Sequence, residues 1–282
     1  MLSKQQIGEY IQPLAVIPTA LSQSGRVQSQ IKAVFFDIYG TLLISDSGDI
    51  GATRQKEARI IKVLDALSQK YRIAQPSAGL LENFYRTIES AHRNLKAEGI
   101  DFPEIEIDRI WMTILKGREP ETVKEFAVEF ELMVNPVYPM PHALELLKAL
   151  KKKQILLGII SNAQFFTPRV LEWLLGSLPD DLGFHPTLQF YSYRHGHAKP
   201  SRVLFDMAGD RLEEMNVAIG EALYVGNDML NDIYPAQLKG FKTALFAGDR
   251  RSLRLRRDDP RCTNLSADLV ITDLIQLLDS FD

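Results

Sequence analysis

The chain has 282 residues, 45% of them hydrophobic, with 33 Lys+Arg against 36 Asp+Glu and a formal charge of -3. That composition supports a sizeable globular core, and the near balance of charge gives no overall attraction to nucleic acid or to an anionic membrane. A single cysteine, Cys262, excludes an internal disulfide and a cysteine-based zinc site. No apolar run approaches the roughly 20 residues of a membrane helix, and the amino terminus lacks the pattern of a secretory signal; a cytoplasmic protein is expected.

Residues 1–30 mix apolar positions with Pro13, Pro18 and a Ser-Gln-Ser-Gly stretch, an irregular extension with no assigned role. Ile31 to Phe36 reads as a short buried strand that ends on Asp37 and turns through Gly40-Thr41. A polar turn at 45–49 follows. From about 52 to 132 the pattern is helical: Ile60, Ile61, Val63, Leu64 and Leu67 make one apolar face, Leu80, Leu81, Phe84, Ile88 and Ala91 another, and two more helices are expected near 104–116 and 120–133. Strands and helices then alternate: helix 140–152, strand 155–160, helix 167–175, strand 188–192, helix 200–211, strand 222–225, helix 231–238, strand 242–246 and a strand-helix pair at 268–280. This order predicts an α/β fold, a parallel sheet covered by helices with a helical bundle inserted after its first strand.

Four polar segments fall at strand ends, where open α/β sheets hold their ligands. Asp37 is the candidate nucleophile. Ser161-Asn162 offers a hydroxyl and backbone N-H groups to an anionic oxygen. Lys199, ahead of Pro200 at a helix start, can neutralise a carboxylate and a substrate phosphate. Gly226 to Asp232 is an acidic turn in which Asp228 and Asn231 also suit helix capping. If Asp37, Asp228 and Asp232 converge, three carboxylates face one cation, and two like charges 4 Å apart repel by roughly 4 kcal/mol at an effective dielectric of 20. A bound divalent cation resolves this, and hard oxygen ligands favour Mg²⁺.

In their order, Asp37-x-x-Gly-Thr, Ser161, Lys199 and the Gly226–Asp232 turn resemble the haloacid dehalogenase superfamily of hydrolases over roughly residues 31–275. The resemblance implies a Rossmann-like core of residues 31–45 and 139–282, an α-helical cap at 46–138 and a separate extension at 1–30. It implies that Asp37 attacks the substrate to give a covalent intermediate that water hydrolyses. Thr41 would orient Asp37, Ser161 would bind the transferring group and Lys199 would steady the nucleophile. Mg²⁺ would be held by Asp37, the carbonyl of Tyr39 and Asp228, with Asp232 as a further ligand. Tyr39, Gly40, Asn162 and His195 are the candidate substrate contacts.

Tyr39 departs from the phosphatases of the superfamily and matches the Asp-x-Tyr-Gly-Thr form of its metal-independent 2-haloacid dehalogenases, in which the aspartate attacks carbon. A phosphatase with Tyr39 needs another acid for its leaving group. Because Asp228 and Asp232 make an acidic turn, Mg²⁺-dependent hydrolysis of a small phosphate ester is favoured here over dehalogenation, with a binding protein on the same fold as a third reading. The cap, expected to open and close over the site, should set specificity, with Arg54, Arg59 and Trp111 as candidate contacts. His195 and His197 are candidates for the missing acid. The arginines between Arg250 and Arg261 read as a solvated loop.

Overall fold

The computed structural model describes residues 2, 4–45 and 54–281, without the side chains of residues 4, 5 and 54–56. A short helix α1 (Lys4–Gly8) and strand β1 (Ser24–Gly25) precede β2 (Ala33–Phe36) and β3 (Leu43–Ser45). Four helices follow, α2 (Arg54–Tyr71), α3 (Ser77–Ala97), α4 (Ile107–Ile114) and α5 (Pro120–Val134), and then β4 (Val137–Pro139). The remainder alternates: α6 (Ala143–Lys152), β5 (Leu156–Ser161), α7 (Thr167–Leu175), α8 (Pro179–Leu182), β6 (Phe184–Tyr191), α9 (Ser192–His195), α10 (Val203–Glu214), β7 (Ala222–Gly226), α11 (Tyr234–Lys239), β8 (Lys242–Phe246) and β9 (Leu269–Ile271).

The sheet runs β1-β9-β8-β7-β2-β5-β6, parallel throughout except for β1 against β9. β2 lies at its centre with all four residues buried, as a continuous apolar run predicts for a parallel strand covered on both faces. Alternation sends Val34 and Phe36 into one core with Leu146, Leu147 and Leu274, and Ala33 and Phe35 into the other with Leu204, Phe205 and Leu212. Phe36 is in register with Ile159 of β5 and Val225 of β7. Asp37 is therefore level with Ile160 and Gly226, with Ser161 and Asn227 one residue beyond, at the carboxyl edge where the chain runs to β5 and β6 on one side of β2 and returns to β7 and β8 on the other.

The cap helices close on a core of their own. Trp111 is fully buried, stacked on Phe84 with ring centroids 4.6 Å apart and edge-on to Phe126 and Phe130. Trp111 is thus cap core rather than a substrate contact. Arg59 is exposed, the Arg54 side chain is outside the described residues, and so is the expected turn beyond Ser45. β3 and β4 pair antiparallel as a ribbon at the neck of the cap.

Several element ends differ from expectation for local reasons. β6 starts at Phe184 although Pro186 interrupts it, because an edge strand tolerates a residue that has no amide proton to donate and its register with β5 shifts there. α6 begins at Ala143, after His142 takes a left-handed φ of 61°. The helix expected from 231 opens instead as a wide turn over Met229–Ile233, capped by Asp228, before α11. Among the described residues no helix is long and apolar enough to cross a membrane.

Candidate active site

Asp37 follows β2, its amide donating to the carbonyl of Val225 at 2.9 Å. Its Oδ1 accepts bonds from Ser161 Oγ at 2.9 Å and Lys199 Nζ at 2.7 Å. Its Oδ2 has no hydrogen-bond partner among the described residues, and that oxygen is not sealed in. The carboxylate is therefore held by one oxygen and presents the other, as a nucleophile requires.

Lys199 is buried, and its three ammonium protons have three takers: Asp37 Oδ1, Asp232 Oδ1 at 2.5 Å and the Tyr224 hydroxyl at 3.0 Å. Burial alone would push its pKa down, but Asp232 and then Asp37 outweigh it and the value lies above that of an ordinary lysine. Asn162 fixes the lysine backbone, accepting from Lys199 N at 2.7 Å and donating to Lys199 O at 3.2 Å. Asp232 turns its second oxygen to the amides of Asn227 and Asp228, both at 2.9 Å. Gly226 is required there, since a Cβ would come within 2.4 Å of the Asp232 carboxyl carbon.

Asp228 points to a different set of partners. Its Oδ1 caps the wide turn, accepting from Leu230 N at 2.9 Å and Asn231 N at 3.2 Å. Arg256 forms a two-pronged pair with it, Nη2 to Oδ2 at 2.7 Å and Nε at 3.1 Å from both oxygens, and Asn231 Nδ2 adds a further bond to Oδ2. The Thr41 hydroxyl does not hydrogen-bond to Asp37; it donates to Asn227 Oδ1 at 3.1 Å, and Asn227 Nδ2 donates to the Ser252 carbonyl. Gly40, at a φ of 86°, lets this cluster close: a Cβ would lie 2.6 Å from Ser252 Cβ.

A cavity of about 700 Å³ is lined by Tyr39, Asn162, Asn227 and Asp228 from the core, His92 and Glu131 from the cap, and Arg254; Asp37, Ser161 and Lys199 are not in its lining but are the chain neighbours and partners of residues that are. The Tyr39 hydroxyl is 3.0 Å from Thr167 Oγ1, and burial, then the nearby Glu131, push its pKa up. Glu131 hydrogen-bonds only to Asn135, and burial raises its carboxyl above the usual range. Another cavity of about 750 Å³, lined by Ile31, Lys153 and Ile155, lies at the opposite, amino edge of the sheet.

Thus Asp37, Ser161, Asn162, Lys199 and Asp232 come together as expected, with Tyr39 and Gly40 beside them. His195 does not join them: its ring packs 6.1 Å from that of Phe190, and its loop docks on the cap, with Ala198 N bonding to Phe102 O and Glu104 N to Gly196 O. His197 faces Asp101 rather than the cavity. The arginine loop is not merely solvated, because Arg254 N bonds to Asn227 O and Met229 N to Arg254 O, laying the loop along the acidic turn. Ser252, Arg254, Arg256 and Glu131 escaped the sequence reading; the available signal was the arginine run itself, opposite an acidic turn that lacked cations.

These contacts change the charge count. Three carboxylates are paired with two cations, Lys199 and Arg256, and a third cation, Arg254, lines the cavity beside them, so the charge count calls for no metal. The expected Mg²⁺ ligands do not fit: Asp228 is engaged by Arg256 and the turn, Asp232 by Lys199 and two amides, and of these three carboxylates only Asp37, through Oδ2, keeps an oxygen without a partner among the described residues. Among the described residues no group of three acidic, histidine or cysteine side chains is placed to hold a metal.

A hydrolase is the class to which a capped parallel sheet with a lysine-held aspartate at its centre belongs. The family model for haloacid dehalogenase-like hydrolases matches residues 31–238, and the chain belongs to that family. No curated protein matches the sequence. Among solved structures, the chain is similar to a 2-haloacid dehalogenase from Pseudomonas syringae pv. Tomato DC3000 (23% identity, 89% of this chain and 98% of that one, TM-score 0.54). It is similar also to a HAD phosphatase from Thermococcus onnurineus (21%, 88% and 97%, TM-score 0.52). At these identities the likeness carries the fold alone.

Proposed function

We propose that this chain is a metal-independent hydrolase in which Asp37 displaces a leaving group from carbon, with small 2-haloacids as the substrate class. The observation that carries this reading is the internal neutralisation of the acidic turn. Asp228 is paired with Arg256, and Asp232 shares Lys199 with Asp37, so both carboxylates of the acidic turn are engaged by protein cations. A phosphate dianion would find no free proton on Lys199, whose three are taken by Asp37, Asp232 and Tyr224. A halide leaves without protonation, so no acid is needed where Tyr39 stands.

In the first step Asp37 Oδ2 attacks C2, the carbon–halogen bond breaks and halide departs with the bonding pair, leaving an ester on Asp37. Ser161 and Lys199 hold Oδ1 and keep the carboxylate aimed. Water then adds to the Asp37 carboxyl carbon and restores the carboxylate; the products are a 2-hydroxyacid, halide and one proton.

A second reading, Mg²⁺-dependent hydrolysis of a small phosphate ester, is favoured by one feature: Glu131, a carboxyl raised by burial in the cavity wall, suits protonation of a leaving alkoxide. The two are separated by measuring halide release from 2-haloacids and phosphate release from a panel of phosphomonoesters, each with Mg²⁺ and with EDTA, with Asp37→Asn as control. Halide release that survives EDTA and disappears in Asp37→Asn is expected. Phosphate release that requires Mg²⁺ and Asp37, without halide release, would overturn the proposal.

A further inference from the structure

The arginine run from Arg250 to Arg261 has no role in the covalent chemistry, yet two of its members reach the acidic turn. Arg254 is pinned to that turn through both its amide and its carbonyl, forming a parallel bridge with Asp228. Two residues on, Arg256 adopts a left-handed φ of 49°, uncommon outside glycine. The side chain that follows from this backbone makes the two-pronged pair with Asp228, whose carboxylate is only 9% exposed. A sparsely populated backbone state at a residue that clamps a buried carboxylate is the pattern of a position held for a purpose.

We propose that Arg256 is the built-in cation of this site: it takes the place that charge counting gives to a divalent metal and keeps Asp228 from serving as a metal ligand. Arg256 is a positioning residue, since it acts through Asp228 and the turn rather than on the reacting atoms. Its planar fork satisfies both oxygens of the carboxylate, which the point charge of a lysine does less well. The inference rests on the metal-independent reading of the site but not on which leaving group departs.

The test needs no substrate. Thermal unfolding and titration calorimetry with Mg²⁺ and Mn²⁺ are compared for the wild type, Arg256→Lys, Arg256→Gln and the double variant Arg256→Gln/Asp228→Asn. In Arg256→Gln the three carboxylates keep only one paired cation, Lys199, so its unfolding temperature should fall and be restored by Mg²⁺. Its affinity for the cation should exceed that of the wild type by at least about tenfold. Wild type, Arg256→Lys and the double variant should show no saturable response. Saturable binding of Mg²⁺ by the wild type would overturn the proposal, and so would an Arg256→Gln variant that binds the cation no better than wild type. Should Arg256→Gln not fold by itself, recovery of its cooperative unfolding transition on refolding with Mg²⁺ would support the proposal, and failure of Mg²⁺ to restore it while the double variant folds would overturn it. A failure to find halide release leaves these outcomes unchanged, so the two proposals fail separately.

Discussion

Lys199 ties the nucleophile to the rest of the site, and its worth is measurable as a dependence of stability on pH. Its raised pKa keeps it charged wherever the protein is folded near neutrality, so its own contribution is fully present there and is lost only at alkaline pH. In Lys199→Met, Asp232 stays buried without its cation, and its carboxyl, already raised by burial, rises further above the unfolded value. Carboxyls raised in this way stabilise below the unfolded value and lose that contribution as pH climbs. Denaturant unfolding should therefore show a gap between wild type and variant that widens from about pH 4 to about pH 7, to about 3–5 kcal/mol; a gap independent of pH would mean that Lys199 is not the counter-ion. Asp37, Ser161, Lys199 and Asp232 were legible in the sequence because each stands just past an apolar strand or opens the helix that follows one. The partner of Asp228 was not, since Arg256 lies 28 residues further on in a loop without periodicity and only tertiary approach joins them. His195 misled for the converse reason: proximity to Lys199 in the chain does not bring its ring to the cavity.

The cap is fastened to the core by a strap, residues 102–107, more than by a hinge at its neck. Gln164 donates to the Ile105 carbonyl at 2.9 Å and to Glu104 at 3.1 Å, and accepts from the Ile107 amide at 3.0 Å. Ser192 donates to Glu104 Oε2 at 2.6 Å, and burial raises the Glu104 carboxyl despite these donors. Any opening of the cap must break these bonds or pivot about them. Gln164→Ala removes three of them and leaves the Ile107 amide without its partner, a loss of about 1–3 kcal/mol. Amide hydrogen exchange should accelerate at Glu104, Ile107 and Ala198 and stay slow in β2; uniform protection in the variant would show that the strap does not hold the cap. The four cap helices could be read from their 3.6-residue periodicity, whereas β3 and β4, three residues each, are too short to display any period. Their pairing is set by the approach of the two chain segments that enter and leave the cap.

At the scale of the whole molecule, the described part of the first 30 residues anchors in the core through Leu2, Ile7 and Val27 and joins the scaffold behind the site. Ile7 is fully buried, sharing a core with Val34, Phe36, Leu274 and Leu277, and β1 covers the edge that β9 would otherwise expose. Further along, Thr19 Oγ1 donates to Ala247 O at 2.7 Å, Arg250 N to Ile17 O at 2.8 Å, and the Arg251 guanidinium to Ala15 O. These bonds brace the start of the loop that delivers Ser252, Arg254 and Arg256 to the acidic turn. The extension escaped the sequence reading because its apolar residues follow no period: it lies across elements already formed rather than building one. Ile7→Ala should therefore cost about 2–5 kcal/mol in denaturant unfolding, as a cavity in a closed core does. Leu238, by contrast, is 49% exposed, and its change to alanine should stay within about 0.5 kcal/mol. Equal, small losses in both variants would detach the amino-terminal segment from the core and, with it, the bracing assigned to the arginine loop.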